Sequence, residues 1–264
     1  MPIWKEPLLC GGFVFLATMK DNFSSQSDKY AQFRPTYPDA LYTYLLSIVP
    51  ARDNAWDCGT GNGQVAQVLV QSFKKVFATD ISPQQIENAF IHERIEYSVQ
   101  PAENTFFPDS SFDLITVAQA VHWFDFDAFY NEVIRTIRNK GVLAVIGYGL
   151  IQLSPSVDRI MAAFYRDVVG PYWDKERKYI DDNYRTIPFP FDEIASPSFE
   201  NALEWTFEHL IGYIGTWSAV KHYKKTMGKD PVDVVYDELK QAWGDRETCI
   251  GRLPILFRVA LIRK

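Results

Sequence analysis

Three glycines at alternate positions constrain the fold of this chain more than any other feature. They are Gly59, Gly61 and Gly63, within the stretch DCGTGNGQ that follows a short apolar segment and precedes a helical pattern. Glycine lets the backbone turn sharply and approach a ligand with no side chain between them. The stretch therefore predicts a ligand-binding turn between the first strand of a parallel sheet and the helix that follows it.

Short apolar segments alternate with helical patterns along most of the chain, which is typical of an α/β fold with a parallel sheet. After Gly149 the periodicity changes, and a stretch rich in proline, aromatic and charged residues follows. The predicted strands are residues 54–58, 75–79, 95–99, 112–118, 141–148, 203–207 and 253–262. The predicted helices are residues 38–49, 64–73, 83–90, 128–137, 157–168, 210–225 and 232–243.

The composition of the chain limits the kinds of ligand that it is predicted to bind. A net charge of -6, with 27 basic residues that form no continuous run, argues against nucleic acid as a ligand. The apolar run at residues 8–18 is shorter than the roughly 20 residues that span a bilayer, so no membrane helix is predicted. The cysteines Cys10, Cys58 and Cys249 lack the spacing of metal ligands, which favours a reducing, cytoplasmic location without metal.

An acid at the end of the second predicted strand indicates which ligand the glycine turn binds. Asp80 lies 23 positions beyond Asp57, and in doubly wound sheets an acid about 20 residues past the glycine turn accepts hydrogen bonds from ribose hydroxyls. Gln64 stands where a dinucleotide fingerprint has its third glycine, and no lysine of a phosphate-binding loop follows. The pattern therefore favours a nucleoside, although Asp80 could instead cap the next helix.

These motifs, in this order, resemble those of the class I S-adenosylmethionine-dependent methyltransferases. The resemblance rests on the glycine turn, TDIS at residues 79–82, Ala102-Glu103, and FDLI at residues 112–115. YAQFRPTYP at residues 30–38 and AQAVHWFD at residues 118–125 are similar to the methyltransferase type 11, or trans-aconitate methyltransferase-like, branch. The family implies a doubly wound, mostly parallel seven-stranded Rossmann-like sheet, a helical lid insertion after the fifth strand, and an antiparallel C-terminal strand.

The sequence pattern, with Met19 and the change of periodicity after Gly149, divides the chain into five parts. Residues 1–18 would be an upstream extension, with Met19 as the natural start, and residues 19–53 would form the entry helices. Residues 54–149 would be the cofactor-binding core, residues 150–200 the helical and aromatic lid, and residues 201–264 the completion of the sheet.

For the cofactor, S-adenosyl-L-methionine, the resemblance implies contacts along its whole length. The glycine turn would pass beneath the methionyl part, Asp57 would hold its ammonium, and Gln119 would line the same side. Asp80 would take the ribose. The adenine would meet Ile81 and the backbone of Ala102. Pro101 stands where the family often has an acid for the adenine amino group, so either Glu103 would take that role or the contact would be absent.

The predicted acceptor site contains a histidine, an arginine and tryptophans. His122 follows the fourth predicted strand and could act as a general base, or could simply be a packed residue. Arg34 could bind a carboxylate of the cofactor or the acceptor, or brace the entry helix, and Tyr30 could close over the cofactor. Trp123 and Trp173 are predicted to contact the acceptor.

The sequence thus predicts a methyltransferase for a small molecule, acting as a monomer or homodimer. The branch favours O-methylation of a carboxylate or a related metabolite. Two alternatives remain open, which are methylation of a phenolic or quinone-type compound and a non-catalytic regulator that binds the cofactor.

Overall fold

A computed structural model describes residues 33–264. The predictions made for Tyr30, Cys10 and residues 1–18 lie outside the described residues. Among residues 33–264, no helix is long and apolar enough to cross a membrane.

Seven strands form one sheet in the order β3-β2-β1-β4-β5-β7-β6. Strand β7 is antiparallel to both of its neighbours, while the other strands run parallel to one another, as predicted. The strands are β1 (Asn54–Cys58), β2 (Lys75–Asp80), β3 (Ile95–Val99), β4 (Phe112–Ala118), β5 (Ile137–Tyr148), β6 (Glu200–Trp205) and β7 (Cys249–Ile262).

The α-helices surround this sheet. They are α1 (Asp39–Ile48), α2 (Gln64–Leu69), α3 (Pro83–Glu87), α4 (Phe126–Thr136), α5 (Pro155–Ala163), α6 (Arg177–Asp181), α7 (Phe207–Gly215), α8 (Ser218–Met227) and α9 (Tyr236–Trp243). A π-helical turn at Phe164–Val168 extends α5, and short 3₁₀ helices lie at Val121–Trp123, Gly170–Tyr172 and Pro231–Val234.

Most predicted elements differ from the observed bounds by a few residues, and two of these differences have an identifiable cause. The strand predicted at residues 203–207 ends at Trp205, because the side chain of Thr206 accepts a hydrogen bond from the His209 amide and begins α7. The single helix predicted at residues 210–225 is two helices, α7 and α8. Trp217 separates them with an extended backbone at φ -66° and ψ 138°.

The core lies on both faces of the sheet, in two clusters of buried apolar side chains. Strand β4 is buried from Phe112 to Val117, as expected for a central parallel strand covered on both faces. Neighbouring β4 residues belong to different clusters, with Leu114 on one face and Ile115 on the other. Only the ends of the central strands are therefore available to build a site.

Candidate active site

The glycine turn joins β1 to α2 at the carboxyl edge of the sheet. Gly59, Gly61 and Gly63 all have positive φ, between 56° and 84°. A Cβ added at Gly59 would lie 2.6 Å from the Cβ of Ala120, the second residue after β4. No larger residue fits there, so the turn can pass this close to the end of β4 only with glycine.

Asp57 holds the turn from within. Its carboxylate is 1% exposed and accepts from Thr60 Oγ1 at 2.5 Å, the Ala66 amide at 3.2 Å and Thr116 Oγ1 at 2.8 Å. Burial raises its pKa to about 6, although these hydrogen bonds oppose the shift. Asp57 thus fixes the geometry of the turn, and it also lines the cavity beside it.

Asp80 ties the end of β2 to the same turn. Its Oδ2 accepts from the Gly61 amide at 2.8 Å, and its Oδ1 accepts from the Ser82 amide at 2.9 Å. The N-cap of α3 is Ser82, whose hydroxyl accepts from the Gln85 amide at 3.3 Å. Asp80 is therefore not the cap of this helix, and its carboxylate lies at the rim of the turn.

A first cavity of about 710 Å³ opens above the carboxyl ends of β1, β2, β4 and β5. Its lining includes six of the residues predicted to bind the cofactor: Arg34, Asp57, Gly59, Gly61, Asp80 and Gln119. The third glycine, Gly63, is the N-cap of α2 beside it.

The three residues predicted at the adenine lie outside the lining of this cavity. Ile81 is half-buried and Ala102 is buried in the core. The Oε1 of Glu103 accepts from the Asp125 amide at 3.0 Å, while its Oε2 is buried and has no partner among residues 33–264. Burial raises the pKa of Glu103. The roles of these three residues stay predictions.

A second cavity, of about 500 Å³, adjoins the first. Arg34, Gln119 and Trp123 line both, so the two cavities share a wall. The remaining lining of the second cavity is His122, Trp173, Asp174, Arg177, Ile180, Trp217 and Ser218. All four residues predicted for the acceptor therefore come together here.

Arg34 stands where the two cavities meet. It donates through Nη1 to the Tyr148 hydroxyl at 3.0 Å and through Nη2 to the Thr216 carbonyl at 3.4 Å. Its guanidinium also lies 5.7 Å from the centre of the Tyr213 ring. These contacts across three parts of the fold make it a braced residue at the site, not a loose surface arginine.

His122 is 5% exposed, and its Nδ1 lies 3.2 Å from the Tyr184 hydroxyl. Burial, together with the positive charges of Arg177 and Arg34, lowers its pKa to about 3. The imidazole is therefore neutral at physiological pH, and it packs against the Trp123 ring with centroids 5.0 Å apart.

Sequence reasoning did not assign roles to Tyr148, Arg177 or the hydroxyl of Tyr184. Tyr148 ends β5, and its place at the carboxyl end of a parallel strand was a usable signal. Arg177 lies within the charged stretch DKERK, where nothing in the pattern distinguishes it from surface residues. The contact of Tyr184 with His122 joins residues 62 positions apart and depends on how the insertion folds.

Comparison with known proteins places this geometry in a family. A family described as a methyltransferase domain matches residues 56–145. A Dictyostelium discoideum protein named as a methyltransferase is 37% identical over 246 residues, which is 92% of this chain and 94% of that protein. A Saccharomyces cerevisiae protein named as an S-adenosylmethionine-dependent methyltransferase is 25% identical over 178 residues, covering 63% of this chain and 59% of its own length.

A solved structure agrees over nearly the whole fold. The Anaeromyxobacter dehalogenans protein, described as a type II methyltransferase, is 40% identical with a TM-score of 0.80, covering 88% of this chain and 99% of its own. The match therefore extends well beyond residues 56–145. The chain belongs to the class I S-adenosylmethionine-dependent methyltransferases, and it is an enzyme whose cofactor is S-adenosyl-L-methionine.

Proposed function

We propose that the enzyme methylates an oxygen of a small carboxylate bound in the second cavity. The observation that carries this proposal is the hydrogen bonding of the Arg177 guanidinium. Its Nε donates to the Tyr165 hydroxyl at 2.7 Å and lies 3.4 Å from Asp181 Oδ1, but Nη1 and Nη2 make no hydrogen bond within residues 33–264. An arginine with two donors available in the lining of a cavity suits bidentate binding of a carboxylate.

The surroundings of Arg177 support an organic anion. Its guanidinium lies 4.5 Å from the centre of the Trp173 ring, and its side chain is 18% exposed. Trp217, 2% exposed, packs against Trp173 with ring centroids 5.6 Å apart. These rings hold the guanidinium in place and provide an apolar wall, which suits the carbon skeleton of a small acid.

The first cavity fits S-adenosylmethionine. The acids Asp57 and Asp80 suit an ammonium and ribose hydroxyls respectively, and the glycine backbone leaves room between them. The buried Oε2 of Glu103 could accept from the adenine amino group. When bound, S-adenosylmethionine would supply its sulfonium methyl group: the acceptor oxygen would bond to the methyl carbon in line as the carbon–sulfur bond breaks and S-adenosylhomocysteine leaves.

In this proposal the protein contributes mainly alignment. Arg34, Gln119 and Trp123 form the wall between the two cavities, and Arg177 binds the acid in the second. A carboxylate, with an ordinary pKa near 4, is already ionised at neutral pH and needs no base. Holding two reactants in line can supply several kcal/mol of the barrier reduction, about 7–11 in favourable cases.

A second candidate is methylation of a phenol or another hydroxyl compound. The observation in its favour is the neutral imidazole of His122, which lines the second cavity and could accept a proton. A carboxylate acceptor would not need this group. The two candidates therefore differ in how much they depend on His122.

An acceptor screen with methyl-labelled S-adenosylmethionine tests the proposal, using matched sets of small carboxylic acids and phenols. We expect base-labile methyl esters from acids, with turnover by His122→Ala within tenfold of wild type. Ethers from phenols, lost in His122→Ala, would instead establish the second candidate. Binding of the cofactor without turnover on either set would favour the non-catalytic regulator.

A further inference from the structure

A chain of hydrogen bonds runs from the end of β5 to His122, and its direction can be assigned. Gln119 Nε2 donates to the Tyr148 carbonyl at 3.3 Å, and the Tyr184 hydroxyl donates to Gln119 Oε1 at 3.3 Å. A carbonyl oxygen can only accept, so the end of the Gln119 amide that faces Tyr148 must be the NH₂ group. Its oxygen is then directed to Tyr184.

The direction of this chain fixes the tautomer of His122. A phenol has one hydrogen, and that of Tyr184 is donated to Gln119. The Tyr184 oxygen, 3.2 Å from His122 Nδ1, must therefore accept from it. His122 carries its proton on Nδ1. Its Nε2 keeps a lone pair and has no partner among the described residues.

The fold holds Tyr184 in place at some conformational cost. Asn183 and Tyr184 have φ of 53° and 59°, in the left-handed region, and Tyr184 is completely buried. A Cβ added at Gly147 of β5 would lie 2.7 Å from the Tyr184 ring, so only glycine there leaves room for it. From β7, Arg258 donates to the carbonyls of Tyr184 at 3.2 Å and Ile187 at 2.7 Å.

Gln119 is also in an unusual conformation, with φ of 54° directly after β4. Non-glycine residues in this region cost free energy, and they persist where the surrounding structure requires them. Two left-handed residues, Gln119 and Tyr184, thus belong to one hydrogen-bond chain, and a third, Asn183, directly precedes Tyr184. This concentration indicates that the arrangement serves the site and is not incidental packing.

We propose that Tyr184 is a positioning residue that holds His122 as the Nδ1–H tautomer, so that Nε2 faces the second cavity as a hydrogen-bond acceptor. Taken with the proposed function, on which this consequence rests, the second cavity presents the Nη donors of Arg177 and the neutral acceptor of His122, beside Arg34 and the Asp174 carboxylate that also line it. The acceptor molecule that matches both carries a hydrogen-bond donor, such as a hydroxyl, in addition to its carboxylate. A hydroxy acid is therefore the preferred substrate class.

Nitrogen NMR of the full chain labelled with ¹⁵N-histidine tests the tautomer at pH 7.5 without any substrate. His122→Asn identifies the His122 signals among those of the four histidines. We expect a protonated nitrogen at Nδ1 and an unprotonated one at Nε2. A proton on Nε2, or an imidazolium, would overturn the proposal.

Two variants test whether Tyr184 sets this state. Tyr184→Phe should shift His122 toward the Nε2–H tautomer, since Nδ1–H loses its acceptor. Tyr130→Phe is the matched control, because Tyr130 is also buried and its hydroxyl has no partner among residues 33–264. An unchanged His122 spectrum in Tyr184→Phe, or an equal change in Tyr130→Phe, would reject the role of Tyr184.

A substitution at Gln119, the other member of the hydrogen-bond chain that contacts Tyr184, should also favour the Nε2–H tautomer of His122. Gln119→Asn tolerates a left-handed backbone but is too short to accept from Tyr184. Tyr184 can then donate to Nδ1, and His122 should again shift toward Nε2–H. Because these spectra require no turnover, failure of the acceptor screen would leave the tautomer result intact, and the reverse also holds.

Discussion

The two cavities share a wall but are lined by different parts of the chain. The first is formed largely by backbone and by side chains at strand ends, such as Gly59, Gly61 and Asp80. The second is formed by side chains of the insertion, including Trp173 and Arg177, and by residues near the turn between α7 and α8. The difference suggests that the sheet determines how the cofactor is bound, while the segments outside it determine which acceptor is methylated.

The largest effect should come from breaking the first cavity. Asp80→Ala removes an acceptor for ribose and releases the Gly61 amide, so we expect at least a hundredfold loss of affinity for S-adenosylmethionine and S-adenosylhomocysteine. Calorimetric titration measures it. Asp237→Ala, at an exposed acid in α9, is the control and should bind as wild type does. Wild-type affinity in Asp80→Ala would mean that Asp80 does not contact the cofactor.

Arg177→Met changes the lining of the second cavity and leaves that of the first unaltered. Loss of a charge-assisted contact worth about 2 kcal/mol should raise the KM for a carboxylate acceptor roughly thirtyfold. Affinity for S-adenosylhomocysteine should change less than twofold. Arg166→Met removes an exposed arginine of the same insertion and should leave both constants unchanged. An unaltered KM in Arg177→Met would remove the main support for a carboxylate.

A smaller effect is expected for the first cavity when the affinity for the cofactor is measured as a function of pH. Because the ammonium of the cofactor favours ionised Asp57, binding should lower its pKa below the free value of about 6. Affinity should then rise with pH through about 6 and level off above 7, by up to about tenfold. Asp57→Asn should abolish this slope. A slope that persists in Asp57→Asn would belong to another group.

In the second cavity, His122 should instead make the free energy of unfolding depend on pH. The pKa of His122 in the folded state, about 3, lies below its ordinary value near 6.5, so folding favours the neutral form. The stabilising contribution of neutral His122 to the free energy of unfolding is fully present above pH 6.5 and is lost as the pH falls below that value. Between pH 7.5 and 5.5 the free energy of unfolding should fall by roughly 1 kcal/mol from this group.

Urea unfolding at both pH values measures this loss, with His122→Asn as the reference because asparagine keeps a donor near Nδ1 but does not titrate. The pH-dependent decrease in the free energy of unfolding should be smaller in the variant by about that amount. Equal decreases in the two proteins would show that His122 is not the group responsible.

The contrast between the cavities also explains what the sequence could predict. Strands β3 and β4 have the predicted bounds, and the glycine turn with Asp80 lies where the pattern indicated, because these features depend on local periodicity and backbone geometry. The end of β6 and the break at Trp217 were missed, since each depends on one residue's hydrogen bond or backbone angle. The contacts of Arg177 and Tyr184 depend on long-range packing, which one sequence does not reveal.

The position of β7 has a consequence for the order in which the enzyme assembles. Although β7 follows β6 in the chain, it lies between β5 and β6, so β6 is joined to the rest of the sheet only through β7. Arg258 of β7 also secures the segment that carries Tyr184. Contacts distant in sequence form slowly. We therefore expect a folding chain to form its cofactor cavity first and to acquire acceptor recognition last.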